Sequence, residues 1–213
     1  MADQIDLVID EAVKIQLEEL ITTDAVQNFP LFELILRWPD RDEVFRTAAA
    51  LLSAARKERR LVGLRILREI DTQRDSAAQL VLTALDVSAE ADELAIHLSA
   101  VAWLGTAEAV KPTIVLVDHP DPGVRHAMTE VLSFCSPTPM PGEVRDALIV
   151  LSADPVERIR FSAVFEIRSW IESRGLGGDE VLTAMRARLE DEDEDVRRTA
   201  HEAVAQLETN GAS

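Results

Sequence analysis

Tyrosine is absent, Cys135 is the only cysteine, and aromatic residues make up 4% of the chain. A lone cysteine excludes an internal disulfide and any zinc site built from clustered thiolates, and it suits a reducing, cytoplasmic setting. With aromatic and β-branched residues sparse and Ala and Leu abundant, the usual strand signals are weak, and the chain reads as almost all helix. No run approaches the roughly 18 apolar residues of a membrane span. The start, MADQIDLVIDEAV, is acidic and lacks the basic segment and apolar stretch of a secretory signal. No membrane partner is expected.

Positive charge is also scarce, with 22 Lys and Arg against 39 Asp and Glu for a net charge of −17, spread evenly over the two halves. Such a field repels phosphate backbones, which argues against nucleic acid and makes a basic protein partner easier to attract. One stretch reverses the sign: residues 56–74 carry seven basic residues against three acidic ones. Pairing of these cations with acidic neighbouring helices is the simpler reading, and binding of a carboxylate-rich peptide or phosphate by Arg65 and Arg68 the sharper one.

What the chain has is length and repetition. Its 213 residues are 47% hydrophobic, enough to bury a sizeable core. DPGVRHAMTEVL (121–132), DPVERIRFSAVFEI (154–167) and DEDEDVRRTAHEAV (191–204) each write an acidic turn, then Val or Ile followed by Arg, then an apolar helix. With that Val or Ile as position 0, Val124, Ile159 and Val196 lie 35 and 37 residues apart, a solenoid period. Ile96 and Arg59 extend the alignment backwards to five units, with Arg60, His97, Arg125, Arg160 and Arg197 at +1. Position +4 holds Gly63, Ala100, Met128, Ala163 and Ala200; position +8 holds Leu67, Leu104, Leu132, Ile167 and Val204. Small at +4 and large at +8 share one helical face, as closely stacked helix pairs require. A shorter helix precedes each unit, at 43–55, 76–86, 107–118, 143–152 and 179–190, so each unit is a helical hairpin. Two further helices, around 4–22 and 30–37, are expected to cap the N-terminal end, and residues 209–213 to fray. The loops CSPTPMPG (135–142) and SRGLGG (173–178) are candidate joints.

This Asp-rich turn followed by VRxxAxxAL-like spacing resembles HEAT repeats of the short bacterial type, also seen in phycobilisome-lyase-like proteins, over residues 41–208. The resemblance implies an all-α, right-handed α-solenoid of about five HEAT-like helical hairpins plus N-terminal capping helices, a single domain over 1–213. It further implies that the second helices line a concave face.

The Arg column is expected to form an inter-repeat ladder with acidic neighbouring turns and not a binding row. Positions +2, +6 and +9 then face the groove: Leu61, Arg65, Arg68; Leu98, Ala102, Gly105; His126, Glu130, Ser133; Phe161, Phe165, Arg168; Arg198, Glu202, Ala205. Phe161 and Phe165 are one turn apart with Arg168 a further turn on, the composition of an interface hot spot. Trp103 and Trp170 fall nearer the core. Glu166 stands at +7, where other units have Ile66, Trp103, Val131 and Ala203, so a semi-buried carboxylate is expected.

Enzyme motifs are lacking. The sequence resembles deoxyhypusine hydroxylase in its repeats, but that family's paired His-Glu metal motifs reduce here to His201-Glu202 at a different helical position. Similarity to HEAT-like alkylpurine DNA glycosylases stops at the fold, because their channel is basic. His97, His119, His126 and His201 occupy different helical positions, and Cys135 has no evident base. No metal or cofactor is expected.

The function expected is a non-catalytic scaffold that takes a protein or peptide, favouring a basic one, through Phe161, Phe165 and Arg168. Arg65, Arg68, His126, Glu130 and Glu202 would set charge complementarity, and the chain would be a monomer or weak homodimer. The alternatives are an acidic inhibitor or immunity-type protein that blocks a basic enzyme, and an enzyme or small-molecule binder using Glu166 and the histidines.

Overall fold

Asp121 starts its helix by direct capping: its carboxylate accepts from the Gly123 and Val124 N–H groups at 2.7 and 3.2 Å, while Pro122 fills the first turn, where no N–H is needed. Asp193 does the same for the last helix, accepting from the Val196 N–H at 2.9 Å without a proline. Asp154 accepts from the Val156 N–H at 2.8 Å. The acidic turns of the repeat are therefore helix starts.

The computed structural model describes residues 5, 7–11, 37–70, 72–86 and 89–211. Among these no strand occurs. The helices are α1 (Arg41–Leu51), α2 (Lys57–Glu69), α3 (Arg74–Thr83), α4 (Ala91–Leu104), α5 (Val110–Thr113), α6 (Pro122–Phe134), α7 (Gly142–Leu151), α8 (Glu157–Arg174), α9 (Asp179–Ala187) and α10 (Glu194–Gly211). Short 3₁₀ segments, Ala107–Ala109 and Ile114–Asp118, flank α5. Sequence periodicity predicts one helix over 107–118; Pro112 lies inside it, and a ring in place of an N–H breaks the α ladder into shorter turns. The last helix runs on to Gly211 instead of ending near Glu208, and the Thr209 hydroxyl donates to the Ala205 carbonyl at 2.8 Å within it.

The chain divides into two units, Met1–Leu104 and Gly105–Ser213. In the first, α1 and α2 form one hairpin and α3 and α4 the next, with α2 against α4. Residues 7–11 are helical, Ile5 and Ile9 are buried, and Asp10 pairs with Arg59 at the start of α2. The remainder of the expected capping helices lies outside the described residues. In the second unit the 107–118 segment packs on α6, α7 on α8 and α9 on α10, and the second helices run side by side in the order α6, α8, α10.

The repeat positions explain the packing. Val124, Met128 and Leu132, Ile159, Ala163 and Ile167, and Val196, Ala200 and Val204 are all buried. Gly63 holds the +4 place where α2 crosses α1: a Cβ there would lie 2.8 Å from the Ala48 carbonyl oxygen and 2.8 Å from the Leu51 Cβ. In α4 the register departs from expectation, for Ile96 is only half-buried while Leu98 is fully buried. That helix reads LAIHLSAVAWL, apolar on most of its circumference, so its hydrophobicity leaves its rotation open.

Candidate functional site

The four arginines at +1 share one grip. Each Nη1 donates to two carbonyls of the turn before its own helix: Ala54 and Ala55 for Arg60, His119 and Pro120 for Arg125, Asp154 and Pro155 for Arg160, Asp191 and Glu192 for Arg197. Three extend the fork made by Nε and Nη2 to a carboxylate of the next hairpin: Arg60 to Glu93 (2.6 and 2.7 Å), Arg125 to Asp154 (2.7 and 3.1 Å) and Arg160 to Asp191 (3.0 and 2.9 Å). The expected ladder is present on these three rungs. Burial alone would raise the carboxyls of Asp154 and Asp191, but the bidentate arginines hold both below the usual aspartate range. Arg197 departs from the expectation, since its partners are the carbonyls of its own turn.

On the second-helix face of the second unit, Phe161, Phe165 and Arg168 form one cluster. The rings of Phe161 and Phe165 stand 6.1 Å apart and tilted by 37°, and the Arg168 guanidinium lies 5.2 Å from the Phe165 ring centroid. Phe165 is 41% exposed, and Phe161 is half-buried. Glu172 receives the Arg168 Nη1 at 3.2 Å, and Glu202 of α10 lies 3.6 Å from Nε, a charge contact beyond hydrogen-bond length. The helical spacing read from the sequence thus brings Phe161, Phe165, Arg168 and Glu202 together.

Beside this cluster lies a polar strip between α6 and α8. His126 Nε2 meets the Ser162 hydroxyl at 3.1 Å, and the Ser133 hydroxyl donates to the Glu166 carboxylate at 2.5 Å while accepting from the Trp170 indole N–H at 3.2 Å. Burial pushes the Glu166 carboxyl up, with the charge of Glu130 adding to it and the Ser133 hydrogen bond opposing. Glu166 is semi-buried, as its place in an apolar column predicts. Neither Glu130 nor Glu166 pairs with a cation among the described residues.

Several positions assigned to the groove from the sequence lie inside instead. Leu61, Leu98, Ala102 and Ser133 are buried. At +2, Leu61 of α2 and Leu98 of α4 pack inward while His126 of α6 and Phe161 of α8 are half-buried, so the pattern of the later hairpins does not transfer to the first two. Trp103 also departs from expectation: it is 52% exposed, with the Arg68 guanidinium 5.3 Å from its ring centroid. Trp170 is 3% exposed, a packing residue.

The basic stretch 56–74 is largely paired within the first unit: Lys57 with Glu90 and Asp92 at 2.9 and 2.5 Å, Arg60 with Glu93, Arg68 with Glu69 at 2.8 Å, Arg59 with Asp10, and Arg74 with the Trp103 carbonyl. Arg65 is half-buried on α2.

The histidines are dispersed. His97 is buried with Nε2 2.7 Å from the Val81 carbonyl, and burial holds its pKa down. His119 Nδ1 accepts from the Asp121 N–H at 3.1 Å, and His201 is exposed. Cys135 is buried, and burial pushes its thiol up to about 12, so it stays protonated at neutral pH. No group of three His, Cys, Asp or Glu side chains is arranged to hold a metal among the described residues, and no described helix is long and apolar enough to cross a membrane.

No protein-family profile matches the chain, and no curated protein matches it. Solved structures do. YibA of Escherichia coli is similar with a TM-score of 0.62 and 18% identity, over 95% of this chain and 76% of that one. An archaeal HEAT-like repeat protein from Thermococcus onnurineus NA1 is similar with a TM-score of 0.54 and 18% identity, over 85% of this chain and 82% of its own. A designed armadillo repeat protein gives a TM-score of 0.50 and 16% identity, over 84% of this chain and 100% of its own. At such identities the likeness concerns the fold, and the fold of this chain is that of the HEAT-like helical repeats.

Proposed function

We propose that this chain is a non-catalytic scaffold that binds a protein or peptide on the second-helix face of its second unit. The observation that carries this reading is the Phe161, Phe165 and Arg168 cluster: an exposed aromatic, a second ring against it and a guanidinium stacked on top. Exposed aromatics backed by arginine are the side chains that dominate binding energy at interfaces, with about 2 kcal/mol or more lost on truncation of a hot-spot residue. The cluster is held in place because Arg168 is tied to Glu172 and faces Glu202. Glu130 and Glu166 have no paired cation among the described residues, and the net charge of −17 favours a basic ligand, so a lysine- or arginine-bearing segment is the partner of choice. His126 and Glu202 border the same face. In the first unit Arg68 on Trp103, with Arg65 on the same helix, makes a second arginine and aromatic patch. A cytoplasmic setting and a monomer or weak dimer accompany this reading.

The charge also favours a second version, in which the basic partner is an enzyme and binding blocks it. Affinity capture from the source cell's lysate, with wild type compared with Phe161→Ala/Phe165→Ala, tests the scaffold reading. A partner held by wild type and lost by the double variant, with unchanged melting temperature of the bait, is expected. Undiminished capture by the double variant overturns the assignment of this face. The inhibitor version further requires that binding fall steeply between low and physiological salt and that the captured partner lose its activity in the complex.

A further inference from the structure

Four of the five +1 side chains are arginines drawn across the turn before their own helix, with Nη1 on two of its carbonyls. The fifth is His97 of α4, and it reaches α3 instead, with Nε2 2.7 Å from the Val81 carbonyl. α4 has no arginine to cross its turn. Between this hairpin and the α1–α2 hairpin lies a cavity of about 530 Å³ with His97 in its wall. A carbonyl can only accept, so Nε2 carries the proton of the neutral ring and Nδ1 keeps a lone pair. His97 is 7% exposed, and no donor among the described residues reaches Nδ1. An acceptor this deep without a partner is a place for the N–H of a ligand. We infer that the cavity binds a small aliphatic amine, its ammonium group donating to His97 Nδ1 and its hydrocarbon chain lying on Leu52 and Leu64.

Charge and size select this class of ligand. The wall holds three carboxylates, Asp86, Glu90 and Glu93, against two cations, Lys57 and Arg60. Both cations are already engaged, Lys57 by Glu90 and Asp92 and Arg60 by both oxygens of Glu93, so an anionic ligand would have to break these pairs. An ammonium group balances the excess carboxylate, and each carboxylate oxygen can accept a second hydrogen bond. Burial holds the His97 pKa down, which keeps Nδ1 an acceptor at neutral pH. Leu52, Leu64 and Ala84 make the rest of the wall apolar and favour methylene groups over a second polar end. The volume suits a small molecule. No three His, Cys, Asp or Glu side chains converge on a metal position among the described residues. The cavity lies wholly within the first unit and does not depend on what the Phe161 cluster binds.

The test titrates n-butylamine at fixed neutral pH into the full chain, labelled with ¹⁵N in its histidines, and reads the ring-nitrogen NMR signals. His97→Gln assigns those of His97. A saturable movement of the His97 Nδ1 signal is expected, with the signals of His119, His126 and His201 still. Sodium n-butyrate, equal in length and opposite in charge, should leave the His97 signal in place. Ala84 is an exposed residue of the cavity wall, so Ala84→Phe fills the space without disturbing the core. That variant should bind butylamine about tenfold more weakly, or worse, at an unchanged melting temperature. No saturable movement, an equal response to butyrate, equal binding by Ala84→Phe, or equal movement of the other histidines overturns the inference. Magnesium chloride forms the remaining arm: if it moves the His97 signal as far as butylamine does, the cavity responds to positive charge alone and the amine is overturned.

Discussion

Arg160 and Asp191 form the most enclosed rung of the ladder, with side chains only 7% and 5% exposed and the two held at 3.0 and 2.9 Å. Removing Asp191 leaves the buried Arg160 with the exposed Glu192 at 3.2 Å as its remaining counter-charge, a loss of about 3 kcal/mol. Asp191→Ala is therefore expected to lower stability by about that amount in urea unfolding. Arg197→Ala, at the same repeat position, gives up only hydrogen bonds to carbonyls and is expected to lower it by about 1 to 2 kcal/mol. Equal losses for the two variants would show that the carboxylate rung adds nothing to the turn contacts.

Acid should open the same rungs. Asp154 and Asp191 have folded-state pKa values below the usual range, so their contribution is complete above the unfolded value of about 3.9 and is lost as pH falls through the depressed folded values. His97 acts earlier and in the same direction: its pKa is lowered by burial, so stability falls as pH drops from the unfolded value of about 6.5 toward the folded one. Thermal melts across pH 7 to 3 should show two stages of loss. His126, also lowered by burial, acts in the same window, so His97→Gln should shrink the upper stage and leave the lower one.

Glu166 titrates with the opposite sign. Its pKa is raised, so ionisation at neutral pH weakens the fold, and protonation strengthens it as pH falls through the raised value toward about 4.3, the unfolded value. Gln at this position mimics the protonated acid and can still accept from the Ser133 hydroxyl. Glu166→Gln is expected to raise the melting temperature at pH 7, with the gain shrinking to nothing near pH 4. A loss of stability at pH 7 would mean that the carboxylate charge is compensated by groups other than Ser133.

The parts legible in the sequence are those fixed by local chemistry. Asp121, Asp154 and Asp193 each sit two or three residues before a Val whose N–H they accept, and capping by a nearby carboxylate is a short-range event that leaves a short-range signature. The rungs at Arg125 and Arg160 follow from that period. Phe161, Phe165 and Arg168 were readable as neighbours because three- and four-residue spacing on one helix needs no tertiary knowledge. Trp103 and Leu98 were not, because α4 is apolar around most of its girth and only packing decides which side is covered. That Arg197 meets only carbonyls of its own turn among the described residues was hidden for a different reason: all four arginines look alike in sequence, and the distinction lies in whether a carboxylate follows in space.

Exposure of Trp103 has an optical consequence. Among the three tryptophans, Trp103 is 52% exposed, Trp170 is 3% exposed, and Trp38 is half-buried with its indole N–H on Glu43 at 3.0 Å. Acrylamide should therefore quench a fraction of the native fluorescence that disappears in Trp103→Phe and persists in Trp170→Phe. Persistence of that fraction in Trp103→Phe would place Trp103 in the interior.

Gly63 tests whether close helix approach or helix propensity governs the first hairpin. An Ala in mid-helix is favoured over Gly by about 1 kcal/mol when nothing crowds it. Here the added Cβ would meet the Ala48 carbonyl oxygen and the Leu51 Cβ at 2.8 Å, and both belong to the backbone or its first side-chain atom, so neither can swing aside. Separating α1 from α2 to make room would open the contacts of Ala48 and Leu51 with α2, a strain of about 1 to 3 kcal/mol for one added methyl in a packed interior. Strain exceeds propensity, and Gly63→Ala is expected to lower the urea midpoint, with Gly63→Val lower still. If Gly63→Ala unfolds at higher urea than wild type, the two helices have slack between them and the small residue at +4 is not set by packing in this hairpin.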